Sequence, residues 1–148
     1  MEKLKQQDTD PALQLFIVLS RSYKSLIEYA KQDIKRYKLN PTEFAVLELL
    51  YNKGPQPLQK IGDRILLASG SITYVVDKLE QKGFLNRKPC SRDRRITYAE
   101  ISLKGIELME SIFPKHAEAI KKLMSGLSEK EMELTKETLK RLGKNIKN

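Results

Sequence analysis

The chain has no tryptophan, one cysteine and one histidine among its 148 residues. A single thiol excludes an intrachain disulfide framework. The lone histidine, His116, has no cysteine or second histidine at ligand spacing, so no metal site is expected. Neither a phosphate-cradling glycine loop nor a nucleophile elbow is present. Long apolar runs are missing too. The longest uncharged stretch lies between Arg64 and Asp77 and contains Ser69, Gly70 and Ser71, too short and too polar to cross a bilayer. The opening segment MEKLKQQDTDPALQ has no apolar core behind a basic start, so no secretory signal is read. These absences predict a non-enzymatic chain with no cofactor, cytoplasmic and without a membrane partner.

Acid is outnumbered. Lys and Arg total 28 against 19 Asp and Glu, a formal charge of +9. Such an excess favours a polyanionic partner, although many basic proteins have no nucleic-acid role. Apolar residues at 40% and charged residues at 32% suit a helix-rich globular chain, and the length suits a single domain with a real core.

The periodicity predicts a first helix from Asp10 to about Tyr37, with Leu13, Phe16, Ile17, Tyr23, Leu26, Ile27, Ala30 and Ile34 at spacings of three and four. Asp10 suits the N-cap and Pro11 the first helical position. Asn40-Pro41-Thr42-Glu43 is a capping-box restart, and Gly54-Pro55 a stop. Pro57 opens a short third helix with Leu58, Ile61 and Ile65 inward and Gln56, Gln59 and Lys60 outside. Residues 66–70 form a turn, with Ser69 expected to cap helix four.

In helix four, Ile72, Val75, Val76 and Leu79 form the core face, leaving Ser71, Thr73, Tyr74, Asp77 and Lys78 outside. Short hydroxyls and a tyrosine on an exposed face allow close approach to base edges and phosphates. An ordinary solvated face would carry more Lys and Glu. Gly83 stops the helix. Phe84 to Lys88 and Arg95 to Ile101 read as two antiparallel strands around a basic tip. A sharp helix pair followed by this hairpin is a winged helix-turn-helix. Ser102 then caps a fifth helix, expected to kink at Pro114. Ser128 to Glu131 is a capping box for the last helix. The fold class is therefore mainly α with a small β-hairpin wing, plus long apolar-striped helices at both ends.

The segments Leu79-Glu80-Gln81-Lys82-Gly83, Leu85 with Arg87, Asp93-Arg94-Arg95 and Ile101-Ser102-Leu103-Lys104-Gly105 resemble the signature of the MarR-type transcriptional regulators. Ile101 and Ser102 depart mildly from the usual Leu and Thr. The resemblance covers nearly all of the chain. It implies one domain, 1–148, with residues 10–37 and 103–146 as dimerisation helices of a homodimer and residues 40–101 as the DNA-binding lobe. It also implies a repressor on a pseudo-palindromic double-stranded DNA operator, with helix four in the major groove and the wing in the minor groove.

On that basis Ser71, Thr73 and Tyr74 are expected to contact bases or the major-groove backbone, and Ser69 to donate to a phosphate. Lys78, Arg87 and Arg92 are expected to meet phosphates. Arg94 or Arg95 reaches the minor groove, the Asp-x-Arg spacing favouring Arg95, and Asp93 either braces the wing or is a plain turn residue. NPTEFAVLELL and LLASGSITYVVDKLEQKG are similar to the branch of the family that responds to quinones and phenolic compounds. That implies a small aromatic effector in a pocket open to Phe16, Tyr23, Phe44, Tyr51 and His116, each of which also has a plain core reading. Cys90 sits among Arg87, Lys88, Arg92 and Arg94, and nearby positive charge favours a thiolate. It is a redox candidate, although a cysteine on the wing lies away from the family's usual sensing position near the N-terminus. The rival functions are an architectural nucleic-acid-binding protein without sequence choice and a protein-interaction scaffold. The arginines of the wing argue against the scaffold.

Overall fold

Helix α1, Pro11–Lys35, begins where the Asp10 carboxylate accepts the Ala12 N–H at 2.9 Å and Pro11 takes the first turn. The structure, a computed structural model, describes residues 10–65 and 71–147. Along most of its length α1 is exposed, and only at its end do Asp33 and Ile34 become buried. Lys38, at φ 60°, turns the chain. Asn40 then caps α2, Pro41–Lys53, through the expected reciprocal box: Glu43 N–H donates to Asn40 Oδ1 at 2.8 Å, and Asn40 N–H donates to Glu43 Oε1 at 3.1 Å. Residues Thr42 to Leu47 of α2 are all buried, so this helix is the centre around which its neighbours assemble. Gly54 ends it at φ 81°, a left-handed conformation that glycine adopts without steric cost.

A strand absent from the sequence-based expectation comes next. Strand β1, Gln56–Pro57, pairs antiparallel with β3, Thr97–Ile101, in the register Gln56 to Ala99 and Pro57 to Tyr98. The sheet therefore has three strands in the order β1–β3–β2, with β2 spanning Leu85–Pro89. Gln56, expected outside, is buried. Its Nε2 donates to the Gly54 carbonyl at 3.3 Å, and its Oε1 accepts from the Arg64 guanidinium. Burial is tolerated because both ends of the amide find partners. The hairpin strands start at Leu85 and Thr97, later than expected at Phe84 and Arg95, since residues 90–96 form the tip.

The third helix, α3, runs Leu58–Arg64, and the recognition-helix candidate α4 runs Ile72–Gln81. Ser71, and not Ser69, is the N-cap of α4. Its ψ of 122° is extended and its Oγ accepts the Tyr74 N–H at 3.5 Å. Ser69 itself, with the expected turn 66–70, lies outside the described residues. The core joins Ile34, Phe44, Val46, Leu47, Leu50, Ile61, Val76, Leu79, Leu85 and Met109, all essentially fully buried. Each contributes roughly 1.5–3 kcal/mol relative to exposure.

Helix α5, Leu103–Leu123, starts at Ser102, whose Oγ accepts the Gly105 N–H at 3.1 Å. It passes through Pro114 without ending. Helix α6, Glu129–Lys147, opens with the expected box: Ser128 N–H donates to Glu131 Oε1 at 2.9 Å, and Glu131 N–H to Ser128 Oγ at 3.1 Å. The chain divides into two compact units between His116 and Ala117. The first contains the sheet and the core. In the second, none of the described α6 side chains is buried, and Leu134 and Ile146 are 70% and 73% exposed.

Candidate nucleic-acid interface

Helix α4 is oriented by its apolar stripe. Val75, Val76 and Leu79 are buried, which turns Ser71, Thr73, Tyr74 and Lys78 to the surface. The Lys78 ammonium lies 5.1 Å from the centre of the Tyr74 ring. Its hydrogen bond to Tyr74, followed by the charge interaction with the same side chain, holds the Lys78 pKa above its ordinary value. The outer face of α4 is thus short hydroxyls, one aromatic ring and one ammonium.

Two backbone bonds shape the wing tip: Cys90 N–H to the Ile96 carbonyl at 2.9 Å, and Ile96 N–H to the Asp93 carbonyl at 3.0 Å. Asp93 adds a side-chain brace. Its Oδ1 accepts from Arg95 N–H at 3.0 Å and from Arg95 Nε at 3.1 Å, while Oδ2 accepts from Arg95 Nη2 at 3.2 Å. Those bonds from Arg95 hold the Asp93 carboxyl below the usual carboxylate range. Arg95 is nevertheless 91% exposed, and Arg92 and Arg94 are exposed beside it. Lys88 pairs with Glu100 at 2.6 Å. Cys90 is half-buried and lines an open cleft of about 400 Å³ with Pro55, Lys88, Arg92 and Tyr98.

Arg87 is placed differently from the tip arginines. Its guanidinium sits between Asp77 and Glu80 of α4 and is 27% exposed.

Of the five residues expected to line an effector pocket, the structure brings Phe44, Tyr51 and His116 into one cluster. The Phe44 and His116 rings lie 4.7 Å apart, Phe113 is 6.3 Å from His116, and Tyr51 is 5.9 Å from Phe113. Phe16 and Tyr23 are not part of it. They stand 70% and 62% exposed on α1. The sequence reading missed two acids at this cluster. Asp33, buried at the end of α1, accepts from Arg36 and lies 3.1 Å from His116 Nδ1. Glu48, half-buried on α2, has its pKa pushed up by burial against the opposing pull of His116. The available signal was helical spacing. Asp33 adjoins the apolar position Ile34, and Glu48 falls one turn after Phe44 on the same face of α2.

Among the described residues no group of acids, histidine and cysteine is arranged to hold a metal, and no helix is long and apolar enough to cross a membrane.

A helix that exposes hydroxyls beside a braced arginine hairpin defines a winged helix-turn-helix of the DNA-binding class. Residues 39–97 match the MarR family. Over 139 residues the chain is 60% identical to the HTH-type transcriptional regulator MhqR of Bacillus subtilis, covering 94% of this chain and 96% of that protein. The chain belongs to the MarR family of transcriptional regulators. Two solved structures share its fold. Sco3205 of Streptomyces coelicolor, a MarR family regulator in complex with DNA, superposes with a TM-score of 0.79 at 14% identity, over 91% of this chain and 87% of that one. NadR in complex with 4-hydroxyphenylacetate gives 0.72 at 21% identity, over 85% and 89% of the two chains.

Proposed function

We propose that the chain is a repressor that binds a pseudo-palindromic operator as a homodimer and is released by a small phenolic, quinone-like or oxidant effector. The observation that carries the DNA reading is the pairing of α4, with Ser71, Thr73 and Tyr74 outward, with a wing whose Arg92, Arg94 and Arg95 are exposed. In this reading α4 enters the major groove, where hydroxyls meet base edges, and Lys78 and Arg92 meet phosphates. Arg95, aimed by Asp93, enters a narrow minor groove. The DNA-bound fold neighbour Sco3205 supports the same use of the fold.

Dimerisation is supported by apolar surface that one copy leaves in water. Leu13, Phe16 and Ile17 of α1 and Leu139, Leu142 and Ile146 of α6 are all exposed, each set at spacings of three and four. Scattered apolar residues are ordinary on a surface, but stripes at helical spacing on two terminal helices mark an interface. Residues 10–37 and 103–146 are its proposed material, and residues 40–101 the lobe that it carries.

The effector reading rests on the cluster of Phe44, His116 and Glu48. An aromatic ring beside a carboxyl and an imidazole suits a flat phenol with one or two polar oxygens. The binding of 4-hydroxyphenylacetate by NadR and the likeness to MhqR point the same way. Effector binding would change the spacing of the two recognition helices and so release the operator. A gel shift against DNA upstream of the chain's own and neighbouring genes, repeated with phenols, quinones and peroxide, tests the whole reading. Retarded bands that these compounds abolish are expected; retardation of every duplex alike favours an architectural role.

A further inference from the structure

A basic side chain on the wing is ordinarily read as a phosphate ligand, but the surroundings of Arg87 are wrong for one. Three bonds leave this residue, and all end on α4. Its backbone N–H donates to Glu80 Oε2 at 3.1 Å, Nη1 donates to Glu80 Oε1 at 3.0 Å, and Nη2 donates to Asp77 Oδ1. Asp77 and Glu80 stand three apart and so share one face of the helix. One guanidinium against two carboxylates leaves a local excess of negative charge, which repels a phosphate.

The backbone bond carries the argument further than the ion pairs alone. Strand β2 lies at the edge of the sheet, with β3 on one side only. The Arg87 N–H donates to Glu80, away from β3, and would otherwise face solvent unpaired. Glu80 therefore fixes the strand by a main-chain atom, and with its second oxygen grips the side chain. Arg87 reaches on to Asp77, one turn earlier. A planar fork spans two carboxylates in this way, whereas the point charge of a lysine does not.

We propose that Arg87 is a positioning residue that clips the wing to the recognition helix. The inference rests on the reading of α4 and the wing as the DNA surface. Those two elements address different grooves, so their mutual angle decides whether both engage at once. The clip sets that angle before DNA arrives and reduces the ordering cost of binding.

The test uses the full chain and a duplex that it selects from a random-sequence pool, with affinity measured by fluorescence anisotropy across a salt series. Arg87→Gln is expected to lower affinity roughly tenfold at every salt concentration, with the salt slope unchanged. Arg87→Lys should fall nearly as far. Asp77→Asn and Glu80→Gln should also weaken binding, although each removes negative charge beside a polyanion. The inference is overturned if Arg87→Gln flattens the salt slope by about 0.9, the value for one phosphate left unneutralised, if Arg87→Lys binds as the parent does, or if removal of either acid tightens binding. Asp77 is the more exposed partner, so Asp77→Asn decides the matter should Arg87→Gln fail to fold. Enrichment of no duplex by the parent chain overturns the DNA reading itself, and this inference with it.

Discussion

The α-carbon of Gly105 lies so close to the Phe84 carbonyl that a Cβ built on it would sit 2.2 Å from that oxygen and 2.7 Å from Ile101 Cγ1. Around this point Ser102 Oγ donates to the Gly83 carbonyl at 2.5 Å, and Lys104 Nζ donates to the Lys82 carbonyl at 2.8 Å. The first turn of α5 is thereby stitched to the turn that follows the recognition helix. Lys82 also pairs with the buried Glu43 carboxylate of α2 at 2.6 Å, so the same turn is tied back to the core.

Gly105→Ala should be strongly destabilising, because the opposing atom is backbone and has little room to move. Overpacking of this kind costs roughly 2–3 kcal/mol, which lowers the melting temperature by roughly 5–10 °C in a chain of this size. Thermal unfolding followed by circular dichroism checks it. A melting temperature within about a degree of the parent's contradicts the close approach.

Glu48→Gln should stabilise the chain at neutral pH. Burial raises the carboxyl pKa of Glu48 in the folded state above the unfolded value, so the folded state retains its proton to higher pH than the unfolded one. Stability then falls as pH rises from the ordinary glutamate pKa through the raised folded value, and levels off above it. The glutamine variant lacks that decline. Denaturant titrations from pH 4 to pH 8 should show the two curves separating as pH rises, with the variant above. A variant less stable than the parent at pH 7 contradicts the assignment. Asp93 has the opposite sign. Arg95 lowers its pKa, so its contribution is present above the ordinary carboxylate pKa and is lost as pH falls through the depressed value.

Much of this was legible in the sequence because the signals were local. Asp10-Pro11, Asn40 with Glu43, and Ser128 with Glu131 announce helix starts within four residues, and each cap forms as expected. Gly83 stops α4 at φ 83°. Strand β1 was illegible because two residues carry no alternation, and a proline within them argues against a strand. Only the distant partners Tyr98 and Ala99 define it. Gln56 looked like surface for the same reason. Ser69 and Ser71 both satisfy the residue preference for a cap, and backbone geometry decides for Ser71. At the wing, the sequence reading placed Arg87 with Arg92 as phosphate contacts. The carboxylates around Arg87 come from a different element, at separations of seven and ten residues, and split that set in two.

Arg95→Ala should weaken binding to most duplexes alike and flatten the salt dependence by about 0.9 for each phosphate that it no longer neutralises. Anisotropy titrations at several salt concentrations measure both effects. Affinity and slope that stay at the parent's values would remove Arg95 from the wing's DNA surface.

Cys90→Ser should leave the response to phenols and quinones in place. Cys90 is the first residue of the wing tip, directly after β2, and lines a cleft with Pro55, Lys88, Arg92 and Tyr98 that includes neither Phe44 nor His116. A reporter driven by the regulated promoter, compared in the two strains, checks this. A variant strain that no longer responds makes Cys90 the sensor.

Competition binding puts the central claim to its most direct trial. The parent chain is bound to a labelled duplex that it has selected, and unlabelled selected or random duplex is added at fixed salt. A sequence-specific regulator is expected to prefer its site by at least roughly a thousandfold. Equal displacement by both competitors would contradict that claim and leave an architectural DNA-binding protein in its place.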